Sequence, residues 1–410
     1  MKKELSYPKD KIKILLLEGI HQSAVEEFEK RGYKNITAVK GAMSEEELLE
    51  VVEDYHVIGL RSKTILTAPV LQKAKKLISI GAFCIGTNQI DLNESTDLGV
   101  SVFNSPYSNT RSVAELIIAN SIMLLRRIPE KSKYAHEGIW MKDAVRSYEL
   151  RGKTIGIIGY GHIGTQVSIM GESMGLKVIY YDVEPKLPLG NAKQVDSLET
   201  LLKESDIVTL HVPATPVTHM MIGKEQFDLM KEGVIFQNLS RGTVVDIDAL
   251  KVAIDSGKVG GAAVDVFPAE PKIKGEMFVS PLQGLDNVLL SPHIGGSTQE
   301  AQENIGGEVA VKLVAFLDNG STIGSKTIPE LNLPIQSNTR RILHTHKNVP
   351  GILSQINQIL SQFNVNIVAQ YLKTNEKIGY VVLDIEGDAT NEALEALKLV
   401  QHTIKVRVLF

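Results

Sequence analysis

His293 stands in "LLSPHIGGSTQEAQ", between a proline and a glycine pair, at the end of an apolar run and just before a helix signal. An imidazole titrating near pH 6.5 can take or give a proton at neutral pH. Arg241, in "FQNLSRGTVVD", follows a second apolar run, and a guanidinium fork suits a carboxylate. Glu270, in "VDVFPAEP", follows a third. Each residue alone reads equally well as a loop or turn residue. Jointly they offer the base and the cation that oxidation of an alcohol next to a carboxylate requires.

These residues need elements to position them. The first hundred residues alternate apolar runs ("IKILLLEG", "NITAV", "VIGLRS", "LISIGAF", "VSVFNS") with helix signals, including a capping box at Ser44–Glu47 and Pro69 at a helix start. A second series begins near residue 110, with a helix at about 111–127, an irregular stretch to Arg151, and strands at 154–158, 177–182, 207–211, 234–239, 261–266 and 288–290. Such alternation predicts two α/β, doubly wound parallel sheets. In an open parallel sheet, ligands bind beyond the carboxyl ends of the strands, where Arg241, Glu270 and His293 all fall. Ser297–Glu300 reads as a capping box for a helix to about Leu317, and Gly306-Gly307 within it implies close packing.

"KTIGIIGYGHIGTQVSIMGESMGLKVIYYD" carries Gly159, Gly161 and Gly164 as G-x-G-x-x-G between a strand and a helix, and its second strand ends in Asp182. This is the dinucleotide fingerprint. Gly159 makes the turn, Gly161 admits the pyrophosphate and Gly164 lets helix and strand approach, while Asp182 meets the ribose hydroxyls and disfavours a 2′-phosphate. NAD is therefore expected over NADP. An S-adenosyl ligand, or a unit that has lost its ligand, is the alternative.

Composition narrows the field. A net charge of −4 gives no basis for nucleic-acid binding, and a single cysteine, Cys84, excludes an intrachain disulfide framework and a multi-cysteine zinc site; no metal site is expected. "MKKELSYPKDKIKILLLEG" lacks a signal-peptide core, and the most apolar stretch, "SVAELIIANSIMLLRR", is interrupted by Glu115 and Asn120. The expectation is a cytoplasmic protein without a membrane span. "NGSTIGSKTIPELNLPIQSNTR" reads as a linker. After it, helical spacing of Ile352, Ile356, Ile359, Leu360 and Phe363 between strand patterns predicts a separate ferredoxin-like βαββαβ unit.

The segments "GYGHIG", "NLSRGTVVD", "DVFPAEP" and "SPHIGGST" resemble, in order and spacing, the signatures of the D-isomer-specific 2-hydroxyacid dehydrogenases, over nearly the whole chain. The tail resembles an ACT domain. The resemblance implies a flavodoxin-like substrate domain (1–108 and 296–337), a Rossmann NAD domain (109–295) and an ACT regulatory domain (338–410). It extends the cofactor set to His162, Ile163, Leu239, Ser240, Asp265, Gly295 and Gly296, with Asp265 at the nicotinamide carboxamide, and implies that Glu270 holds the His293 ring and favours its protonated form. "IGTNQIDL" and "SNTRSVAE" are similar to substrate-side and hinge segments of family members that oxidise 3-phospho-D-glycerate to 3-phosphohydroxypyruvate in serine biosynthesis. On that basis Arg61, Ser62, Asn109 and Arg241 would bind substrate. His346, Asn348 and Asn366 would bind L-serine as feedback effector, in a homotetramer paired through its ACT domains. Other 2-oxo acids (glyoxylate, hydroxypyruvate, 2-oxoglutarate) and a non-catalytic NAD-sensing regulator remain open readings.

Overall fold

A computed structural model describes residues 7–271, 275–334, 339–386 and 391–409. The chain forms two compact units, one of residues 1–108 with 302–410 and one of residues 109–301.

In the first unit, β1 (Lys13–Leu16), β2 (Asn35–Ala38), β3 (Val57–Leu60), β4 (Ser79–Ala82) and β5 (Ser101–Asn104) pair in parallel in the order β2-β1-β3-β4-β5, the flavodoxin-like order. Strands β3 to β5 are buried at every residue, as helices on both faces require. The second unit holds β6 (Thr154–Ile158), β7 (Lys177–Tyr181), β8 (Lys193–Gln194), β9 (Ile207–Leu210), β10 (Val234–Asn238), β11 (Val259–Val264) and β12 (Val288–Leu290). Its order, β12-β11-β10-β9-β6-β7-β8, is the Rossmann order with one added edge strand, and it reverses between β6 and β9, where such sheets bind ligands.

The tail forms the antiparallel sheet β14-β15-β13-β16 from β13 (Arg340–Lys347), β14 (Asn366–Thr374), β15 (Ile378–Glu386) and β16 (Thr403–Leu409). Helices Ile352–Gln362 and Asn391–Lys398 complete βαββαβ. This sheet belongs to the first unit. Leu343, Tyr380, Val382 and Leu409 share a core with Ile14, Leu16 and Phe103 of the first sheet and with Val309 and Leu313 of the helix Gln299–Asn319.

Four sequence expectations change. The stretch after the helix Thr110–Leu125 is not wholly irregular. Arg127 takes a left-handed backbone (φ 53°), and a second helix, Ile128–His136, starts there with Pro129 in its first turn and Glu130 held by Arg127. At the helix Gln299–Asn319, Thr298 rather than Ser297 is the cap, accepting from Ala301 N at 3.1 Å. The expected linker is largely packed rather than solvated. Thr322, Thr327, Ile328 and Leu333 are buried, and Thr327 Oγ1 donates to Val100 O and accepts from Val102 N beside β5. Its hydroxyls satisfy backbone groups, so a turn-rich composition covers a sheet edge. Close packing explains Gly306, where a Cβ would overlap Ser23 Oγ, but nothing in the structure explains Gly307. The expected boundary at 337/338 lies outside the described residues. Among the described residues no helix is long and apolar enough to cross a membrane.

Candidate active site

The cradle follows β6. Gly159 has φ +92°, and a Cβ there would come within 2.5 Å of the His211 carbonyl oxygen. A Cβ on Gly164 would overlap the Gly159 carbonyl oxygen, whereas one on Gly161 would meet nothing within 4 Å. The turn and the close helix approach thus require glycine, and open space faces Gly161 at the start of the helix His162–Ser173. That is room for a pyrophosphate at a helix N-terminus, whose N–H groups and dipole suit an anion. His162 and Ile163 open this helix. Asp182, just past β7, accepts from Tyr160 N at 2.8 Å and Glu184 N at 3.0 Å, which holds its carboxylate beside the cradle. Tyr160 stacks on Tyr180 at 3.7 Å, an anchor that the glycine motif did not reveal. These features fit NAD.

The three chemical residues lie past the ends of adjacent strands. His293 Nδ1 is 2.8 Å from Glu270 Oε2, and Phe267 N donates to Glu270 Oε1 at 3.0 Å. Hydrogen bonding to Glu270 raises the His293 pKa above its ordinary value, against burial and the Arg241 charge; the charges of Glu270 and Asp265 add to the rise. Burial acts to raise the Glu270 pKa, but the bonds from His293 and Phe267 N and the His293 and Arg241 charges outweigh it, and the pKa is lowered. Each partner thus favours the charged form of the other. His293 also sits at φ 55°, a left-handed conformation uncommon outside glycine, which histidine adopts more readily than most residues.

The loops carrying these residues are built against one another. Asn238 shapes the Arg241 turn: its Oδ1 accepts from Ser240 N and Oγ, and its Nδ2 donates to Arg241 O. Arg241 Nη1 donates to Ser240 O at 2.7 Å. Leu239 and Ser240 are buried. A Cβ on Gly242 would overlap the Phe267 carbonyl group, so the Arg241 and Glu270 loops cross at a residue without a side chain. Motif order alone could have flagged Gly242, next to Arg241, but not what crosses it.

Asp265 is 2% exposed. Its carboxylate accepts from Ser291 Oγ (2.6 Å), Ile294 N (2.8 Å) and Gly295 N (2.8 Å), and its carbonyl accepts from His293 N (2.8 Å). In this structure Asp265 organises the His293 loop. The two glycines after Ile294 are closely approached rather than open. Gly295 admits the Asp265 carboxylate, and a Cβ on Gly296 would overlap Asn109 Nδ2.

Arg61 and Ser62 lie past β3, in the first unit. Of the tail residues, Asn348 is exposed and donates through Nδ2 to Asn375 O, while Asn366 donates to Glu386 Oε2. His346 is only 3% exposed, and burial lowers its pKa. The registers His346↔Gly379↔Thr374 and Asn366↔Glu386 put His346 and Asn366 at opposite ends of the sheet, roughly 25 Å apart at about 3.3 Å per residue. One chain does not bring the three together.

Residues 118–295 match the family described as the D-isomer specific 2-hydroxyacid dehydrogenase, NAD binding domain, and residues 342–405 match an AHAS small subunit-like ACT domain. The chain is 53% identical over 410 residues to D-3-phosphoglycerate dehydrogenase of Haemophilus influenzae, covering 100% of both chains. It is 48% identical to that of Dictyostelium discoideum, covering 99% of each. Among solved structures, D-lactate dehydrogenase from Aquifex aeolicus, complexed with NAD and lactic acid, is similar at 28% identity with a TM-score of 0.67, covering 77% of this chain and 100% of that one. D-2-hydroxyisocaproate dehydrogenase is similar at 27% identity with a TM-score of 0.70, over the same shares.

Proposed function

The chain belongs to the D-isomer-specific 2-hydroxyacid dehydrogenases, among the NAD-dependent D-3-phosphoglycerate dehydrogenases, and from that membership we propose that it oxidises 3-phospho-D-glycerate to 3-phosphohydroxypyruvate under feedback by L-serine. The observation that carries the chemistry is the 2.8 Å contact between His293 Nδ1 and Glu270. With Nδ1 engaged, Nε2 is the ring atom that takes the C2 hydroxyl proton. Bound NAD⁺ supplies the acceptor for the C2 hydride. In the reverse direction the same Nε2 returns its proton to the carbonyl oxygen, a role that the raised His293 pKa supports. Glu270 holds the ring and stabilises its imidazolium form. Arg241 binds the carboxylate and polarises the C2 oxygen, with a charged hydrogen bond worth about 1.5–3 kcal/mol. Asp182 repels a 2′-phosphate and so selects NAD. Asp265 and Gly295 line the nicotinamide side through the loop they hold.

Arg61, Ser62 and Asn109 bind the substrate phosphate. His346, Asn348 and Asn366 take L-serine from two chains paired through their ACT domains. The separation of His346 from Asn366 within one chain supports this arrangement. The assembly is a cytoplasmic homotetramer, and Trp140, 84% exposed in this chain, meets a neighbouring subunit.

The test is NADH oxidation with 3-phosphohydroxypyruvate beside 2-oxoglutarate and hydroxypyruvate, each with and without L-serine. Preference for the phosphorylated acid, suppressed by serine, is expected. Preference for an unphosphorylated acid would overturn the phosphate site. Indifference to serine would overturn the effector reading and leave the enzyme reading intact.

A further inference from the structure

Glu18 follows β1 and is not part of any motif. Its backbone is left-handed (φ 61°), and so is that of Gly19 (φ 60°). Glycine takes this conformation at no steric cost; glutamate does not. The turn is pinned on both sides, since Glu18 N donates to Gly41 O at 2.9 Å and Gly19 N to Val39 O at 3.0 Å. It carries the Glu18 carboxylate to the loop after β3. There Oε1 accepts from Arg61 N (3.2 Å) and Thr64 N (2.8 Å), and Oε2 accepts from Lys63 N (3.0 Å).

One carboxylate therefore gathers three backbone N–H groups of the loop that presents Arg61 and Ser62. Converging N–H groups of this kind otherwise form an anion-binding nest, and here Glu18 fills it. From the other side, Gln89 Nε2 donates to Arg61 O at 2.6 Å. The Arg61 backbone is thus fastened through both its N–H and its C=O. Its guanidinium makes no hydrogen bond or ion pair among the described residues. With the N–H groups of Arg61, Lys63 and Thr64 occupied, what the loop has left for an arriving anion is the Arg61 guanidinium and the Ser62 hydroxyl and N–H.

We propose that Glu18 is a positioning residue for substrate binding: its carboxylate sets the Arg61–Thr64 loop so that the Arg61 guanidinium and Ser62 hydroxyl are poised for the substrate's anionic group. The proposal rests on the reading of Arg61 as a substrate ligand. Charged hydrogen bonds to a backbone are stronger than neutral ones. The near-isosteric Glu18→Gln retains one acceptor oxygen and turns an amide donor toward the Lys63 or Arg61 N–H.

The test compares Glu18→Gln, Arg61→Ala and the double variant in steady-state NADH oxidation with 3-phosphohydroxypyruvate, with thermal melts alongside. Glu18→Gln is expected to raise the substrate KM about tenfold, with kcat within about twofold and the KM for NADH unchanged. In the Arg61→Ala background the same substitution is expected to add little, because residues acting through one another are non-additive. An unchanged substrate KM in Glu18→Gln, whether or not the melting temperature falls, would overturn the proposal. So would an equal rise in the NADH KM, or full additivity with Arg61→Ala. An unchanged KM in Arg61→Ala itself would instead sink the substrate-ligand reading beneath it.

Discussion

At the scale of single residues, the site turns on how His293 is held. Its left-handed backbone is kept in place by Asp265, which accepts from His293 N through its carbonyl and from Ile294 N and Gly295 N through its carboxylate. Local strain at a working residue persists only where its surroundings over-determine it. The sign of the pH dependence follows from the pairing with Glu270, which raises the His293 pKa. Oxidation needs the neutral ring, so its kcat/KM should rise with pH through a limb above the ordinary histidine value. Reduction needs the imidazolium and should fall through the same limb. In Glu270→Gln the carboxylate is lost and the limb should move to lower pH in both directions. pH–rate profiles of parent and variant check this, and an unmoved limb would assign it to another group. His293→Ala should lose about 10²–10⁴-fold in turnover with NADH affinity nearly intact, as read by fluorescence titration.

At the scale of elements, the three cradle glycines look alike in the motif and differ in what surrounds them. Gly164→Ala drives a Cβ into the Gly159 carbonyl, so the helix must retreat from β6, at a cost of about 1–3 kcal/mol by analogy with overpacked cores. Gly161→Ala meets nothing within 4 Å, so it should leave the melting temperature unchanged and weaken NADH binding. Thermal melts with and without NADH separate the two, and equal losses of apo stability would refute the distinction. The helix Ile128–His136 shows a limit of periodicity. Only Pro129 and Glu130 signalled its start, and the kink at Arg127 let a second helix follow the first with no loop to announce it.

At the scale of the whole chain, the tail is bound into the first unit by hydrogen bonds from Arg341 and Tyr380 as well as by apolar packing, and a buried ion pair between two tail strands holds Arg341 for that role. Arg341 and Asp384 are both fully buried, joined by bonds of 2.6 and 2.7 Å. Arg341 also donates to Asn319 O at 2.9 Å and Pro334 O at 2.8 Å, satisfying a carbonyl at the end of the helix Gln299–Asn319. Tyr380 OH donates to Gly320 O beside it. Removing one member of a buried pair strands the other charge, typically at a cost of about 3–5 kcal/mol. Asp384→Asn should therefore destabilise the first unit in denaturant melts. Arg341→Met combined with Asp384→Leu should cost less than the sum of its single changes. An Asp384→Asn melt indistinguishable from that of the parent would show that Arg341 does not depend on Asp384 to hold its place.

The fold class, the cradle with Asp182, and the placing of Arg241, Glu270 and His293 past strand ends were legible in the amino-acid sequence, because they rest on local periodicity and short fixed spacings. The crossing at Gly242 and the grip of Asp265 on the loop after β12 were not, and the pairing of Glu270 with His293 followed only from the family resemblance. Each joins segments far apart in the chain, and only the parallel register of β10, β11 and β12 brings their ends side by side. The same reason hid Glu18. It lies in an unremarkable stretch, and its carboxylate acquires a partner only when β1 and β3 lie adjacent in the sheet. The tail's strand and helix pattern was equally plain in sequence, but its shared core with the first sheet arose from which faces were left apolar once both sheets had formed.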